Sequence, residues 1–191
     1  MTVQYFFFNT YPGYFLQVLP VAILAALLCY VVRRRKHPAL PRSQAVGTSL
    51  FVAYLAALLT LTLLISWVGE LYHFLFYHMP SGRDHFGWSP YSYDLTPHFW
   101  KHFGREQLGN VLLFLPFGFL FPLFRRNSGL FRTVLSGVAV SLLIEVVQPV
   151  VGRSCDINDL ILNSLGTLIS ALIFFFVRFL RRNKGEHCNE T

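Results

Sequence analysis

Charge is what this sequence most lacks. Only 13% of its 191 residues are Asp, Glu, Lys or Arg, against 54% that are hydrophobic. A water-soluble domain of this length needs a far more charged surface, so that class is excluded. Cysteine is also scarce. Cys29, Cys155 and Cys188 are the only three, and they fall in an apolar span, an outer connection and a tail. No two are expected to meet in an oxidising compartment, so no disulfide is expected. No segment repeats another, which removes support for an inverted-repeat transporter. No basic cluster precedes the first apolar stretch, as it would in a signal peptide; the arginines follow it instead.

Five long apolar runs account for the bulk of the chain. They extend over about 14–32, 48–68, 108–124, 133–151 and 160–177, each near the ~17–25 residues that cross a hydrocarbon core as a helix. The expected fold is therefore all-α, a polytopic integral membrane bundle of about five transmembrane helices. The third run is the shortest and contains Pro116, where a kink or local thinning is expected. The net charge of +7 sits in short clusters beside the spans rather than along one face. That arrangement sets topology and predicts no nucleic-acid partner. Arg33, Arg34, Arg35, Lys36 and Arg42 follow the first run, Arg125, Arg126 and Arg132 the third, and Arg178, Arg181, Arg182 and Lys184 the fifth. These twelve of 16 basic residues lie on one side, which predicts an outside N-terminus and a cytoplasmic C-terminus. The chain thus divides into a first span with its basic connection (1–46), a membrane domain (47–177) and a basic tail (178–191). An aromatic outer loop over about 79–107 is expected at the membrane surface, with a short interfacial helix around His98 to Glu106.

Polar residues inside the spans are few and periodic. Ser141, Glu145, Gln148 and Gly152 recur at steps of four, three and four, one face of a helix. Asp156, Asp159, Asn163, Gly166 and Ser170 repeat the pattern in the fifth span, with Thr167 beside Gly166, and Asn110 interrupts the third. Small residues on these faces allow close helix approach. An outer polar pocket lined by Asn110, Glu145, Gln148, Asp156, Asp159 and Asn163 is expected, with Arg153 at its rim. A structural alternative exists. Asp156 followed by Asp159 fits a helix cap with an acid in the first turn, and Glu145 pairs with Arg153 in that account. An acid at Glu145's depth costs on the order of 2–3 kcal/mol, however, which favours a functional role. His98, His102 and Glu106 share helical spacing, but the HExxH acid is absent, and no metal is expected. Asp156, Asp159 and Asn163 carry too little spacing signal to assign Mg²⁺, so no cofactor is expected.

Three motifs in order carry a resemblance: NVLLFLPFG (Asn110 to Gly118), IEVVQ (Ile144 to Gln148), and Arg153, Asp156, Asp159, Asn163 and Gly166 at the spacing RxxDxxDxxxNxxG. Together they resemble the signature of VanZ-like membrane proteins over about Gly47 to Val177. The loop match is looser, with Trp88-Ser89-Pro90-Tyr91 where the family often has a Pro-Phe element. The resemblance implies resistance to teicoplanin-type glycopeptides, exercised in the bacterial cytoplasmic membrane. Two mechanisms stay open from the residues. In one, the pocket binds a membrane lipid or lipid-linked envelope precursor. In the other, a membrane enzyme modifies such a substrate, with Glu145 or Asp156 as base and Arg153 on a phosphate. A transporter fits five spans least well.

Overall fold

A computed structural model describes residues 3–78, 93–98, 100 and 104–187. Five helices are long and apolar enough to cross a membrane: Tyr11–Lys36, Arg42–Tyr77, Arg105–Phe124, Leu130–Val151 and Ile157–Arg182. Each apolar run of the sequence lies inside one of them. The chain is a multi-pass helical membrane protein. Its helices form two compact units, Met1–Leu95 with Leu143–Asp156, and Thr96–Leu142 with Ile157–Thr191.

The first unit begins with α1 (Val3–Asn9), a helix of under two turns that hydropathy gives no means of finding. Thr10 then starts α2 (Tyr11–Lys36). Its hydroxyl accepts the Gly13 N–H (3.2 Å) and donates to the Phe6 carbonyl (2.6 Å). Gly13 is required there, because a Cβ would stand 2.2 Å from Phe6 O. Gln17 ties α2 to the short helix by donating to Phe7 O at 2.6 Å. The second span is one long rod in three parts: α3 (Arg42–Leu59), a π-helical turn (Thr60–Leu64) and α4 (Ile65–Tyr77). It outruns the apolar segment at both ends, because hydropathy marks the hydrocarbon boundary and the backbone stays helical beyond it. A two-residue strand, β1 (Tyr93–Asp94), pairs in parallel with β2 (Cys155–Asp156), Tyr93 beside Cys155 and Asp94 beside Asp156.

The second unit is built on α5 (Arg105–Phe124) and α7 (Ile157–His187), with the first part of α6 (Leu130–Val147). α5 is helical throughout despite Pro116 and Pro122. Its buried face stacks Phe117 on Phe121 at 5.4 Å between ring centroids. Glycines bring backbones together here. A Cβ at Gly166 would lie 2.2 Å from Val111 O, and one at Gly118 2.1 Å from Ser170 Oγ. Gly137 of α6 faces Thr167 just as closely, at 2.5 Å. Without a hydrophobic force between helices in lipid, such contacts are the usual means of association. Buried hydroxyls bond back to their own helix: Thr133 to Gly129 O, Thr167 to Asn163 O and Ser170 to Gly166 O. That removes the cost of a bare polar group in an apolar solvent.

The expected loop falls largely on residues 79–92, 99 and 101–103. That stretch, like the interfacial helix around His98 to Glu106, lies mostly outside the described residues, as does Cys188. Cys29 and Cys155 are both thiols.

Candidate functional site

Glu145 organises the polar residues of the first unit. It is 2% exposed on the last turns of α6. Beyond Val147 the helix tightens into a 3₁₀ turn, Gln148–Val151, and stops at Gly152, which adopts the left-handed conformation (φ 73°). Arg153 N–H returns to Gln148 O at 3.0 Å, closing that stop. The chain then doubles back so that the Asp156 N–H donates to Glu145 Oε2 at 3.0 Å. With its side-chain amide turned so that the nitrogen faces these two oxygens, the orientation that satisfies both ends, Gln148 donates to the same Oε2 (2.9 Å) and to Ser154 O (3.2 Å). Two N–H donors thus solvate a buried carboxylate that a bare apolar environment would penalise. Glu145, Gln148 and Asp156 are brought together around one turn.

Arg153 takes a different course from the ion pair with Glu145 that the structural alternative required. Its Nη1 donates to Thr62 O at 3.1 Å, within the π-helical turn of the second span. A π turn widens the hydrogen-bond ladder and often marks a functional position. The Thr62 carbonyl is satisfied by a guanidinium, and the guanidinium is held in place by it. The side chain is nonetheless exposed, and this one bond uses one of its five N–H groups.

The second unit holds the remaining predicted residues. Asn110 of α5 donates through Nδ2 to Asp159 Oδ1 at 2.5 Å. Asn163, one helical turn beyond Asp159 on α7, donates to Ser141 Oγ at 3.0 Å and is 4% exposed. Its Oδ1 is buried and has no hydrogen-bond partner among the described residues. Asp159 lies in the first turn of α7 and Asp156 directly precedes that helix, the positions a capping pair takes.

One residue of this stretch was not singled out by sequence. Asn158 is 3% exposed; its Oδ1 accepts the His98 N–H at 2.7 Å and its Nδ2 donates to Thr96 O at 3.4 Å. His98 Nδ1 lies 2.7 Å from the same Thr96 carbonyl. Asn158 therefore fastens the segment that precedes α5. Periodicity missed it because it belongs to none of the i, i+3, i+4 series that drew attention to Asp159 and Asn163. Thr62 was illegible for another reason: it contributes a backbone carbonyl, which leaves no side-chain signal. His102 lies outside the described residues, and among those described no three His, Cys, Asp or Glu side chains are grouped to hold a metal ion.

A family model described as VanZ/LLP1 matches residues 51–178, which contain every predicted site residue. Compared with curated proteins and with solved structures, the chain has no match.

Proposed function

The chain belongs to the VanZ/LLP1 family, and from that premise we propose that it protects bacteria against teicoplanin-type lipoglycopeptides from within the cytoplasmic membrane. Its action is to bind a lipid or lipid-linked component of the envelope at the outer surface and so change how an acylated antibiotic anchors there. The observation that carries this reading is the Glu145-centred turn. A buried carboxylate, Gln148 and the Asp156 amide fix a turn that presents Arg153, still exposed, beside it. A guanidinium with unused donors suits the phosphate of a lipid-linked head group. A soluble partner is a poorer fit for residues at the end of an apolar helix. Asn110, Asp159 and Asn163 are assigned a supporting part in the second unit, where Asn163 Oδ1 is an acceptor without a donor among the described residues.

The mechanism is binding rather than turnover. Purified protein in nanodiscs, incubated with a radiolabelled lipid-linked cell-wall precursor, is expected to show saturable binding and unchanged substrate after prolonged incubation. Arg153→Gln is expected to weaken that binding about tenfold or more, the scale of a charge-assisted hydrogen bond. Appearance of a modified product would make the protein a membrane enzyme instead. An absence of binding would reject the proposed ligand class.

A further inference from the structure

At the opposite end of α2 from Thr10, the helix finishes in four consecutive bases, Arg33, Arg34, Arg35 and Lys36, and Arg42 begins α3 after a short turn. The first 69 residues contain no Asp or Glu at all. Five cations therefore stand within ten residues with no carboxylate on either helix that the turn joins, α2 or α3. A helix C-terminus welcomes bases, but its macrodipole amounts to roughly half a charge, far short of five. Topology explains why bases are here; it does not supply their counter-charge.

The turn is also built rather than loose. Arg34 Nη1 donates to Leu40 O at 3.0 Å and Pro38 O at 3.3 Å, fastening the α2–α3 connection to the end of α2. Arg33 differs from its neighbours. Its Nε is buried and has no hydrogen-bond partner among the described residues. A buried N–H without an acceptor is costly, and it adds to a guanidinium that is partly accessible and has no counter-charge on its own helices, so an anion from outside the chain is called for. Immediately before these bases, Leu27, Leu28, Val31 and Val32 of α2 are between 43% and 58% exposed. They offer apolar surface of the kind that acyl chains cover.

We propose that this turn is a binding site for an anionic phospholipid, its phosphate accepting from Arg33 and neighbouring bases and its chains lying along the apolar face of α2. The ligand is a lipid and not free phosphate, because the apolar surface adjoins the cations directly. The site is separate from the Glu145-centred turn and does not depend on the function proposed for it.

The full-length protein in a zwitterionic detergent would be titrated with dioleoyl phosphatidylglycerol, dioleoyl phosphatidylcholine and inorganic phosphate, with bound lipid read by native mass spectrometry and stability by thermal unfolding. Phosphatidylglycerol is expected to give a retained adduct and a raised melting temperature; the other two are expected to give neither. Arg33→Gln should weaken the adduct roughly fivefold or more, the equivalent of about one base at an anionic surface. Arg181→Gln, in another helix, should leave it unchanged. Equal retention of phosphatidylglycerol and phosphatidylcholine by the wild type would overturn the proposal without recourse to any variant. So would an adduct that survives Arg33→Gln at full strength, or stabilisation by inorganic phosphate alone.

Discussion

Two glycines show how much a single hydrogen atom decides inside these helices. At Gly166 an added methyl would lie 2.2 Å from Val111 O, whereas at Gly109, in α5, it would meet nothing within 4 Å. Gly166→Ala is therefore expected to destabilise the protein by about 1–3 kcal/mol through overpacking. Gly109→Ala should stabilise it by about 0.5–1 kcal/mol, through better helix propensity alone. Thermal unfolding of both variants in one detergent checks this, and a fall in stability at Gly109 equal to that at Gly166 would contradict the packing. The same scale shows what sequence can and cannot reveal. The burial of Glu145 was legible, because an acid within an apolar run avoids lipid only by turning toward polar groups inside the protein. Its backbone partner was not. An ion pair with Arg153 was a reasonable structural alternative, yet the carboxylate takes the Asp156 amide and Gln148, and the arginine goes to the Thr62 carbonyl. A backbone N–H joins Gln148 on the carboxylate and a backbone carbonyl holds the arginine, and backbone groups leave no mark in a sequence.

Helices were the most legible elements, since a hydrocarbon solvent leaves a span few alternatives to an α-helix. Their irregularities were not. The π turn at Thr60–Leu64 occurs in a stretch of leucines and threonines that reads as ordinary helix, and only the incoming Arg153 shows what it accomplishes. The short parallel pair of Tyr93–Asp94 with Cys155–Asp156 was equally hidden, since two residues carry no periodicity. Asn158 makes the corresponding attachment in the second unit through its bonds to His98 and Thr96. Asn158→Ala leaves the His98 N–H without its acceptor. The His98 amide is expected to exchange at least tenfold faster in that variant, with amides in the middle of α7 unaffected. Unchanged exchange at His98 would mean that other contacts hold the segment.

For the whole molecule, composition decided class and spacing suggested family, and both conclusions now rest on further grounds: five membrane-length helices and a family match over residues 51–178. What composition could not supply is the division into two units, which parts the chain after Leu95, α6 between Leu142 and Leu143, and the chain again after Asp156. Contacts between distant residues create that division, and hydropathy reports only neighbours in sequence. The central claim is that this molecule blunts an acylated glycopeptide through the turn that presents Arg153. Its most direct test is susceptibility to teicoplanin, with vancomycin in parallel, in a sensitive bacterium expressing wild-type protein or Arg153→Gln at matched membrane abundance. The wild type is expected to raise the inhibitory concentration of teicoplanin more than that of vancomycin, and Arg153→Gln to return teicoplanin to the level of cells without the protein. Full protection by Arg153→Gln, or none by the wild type, would contradict the claim.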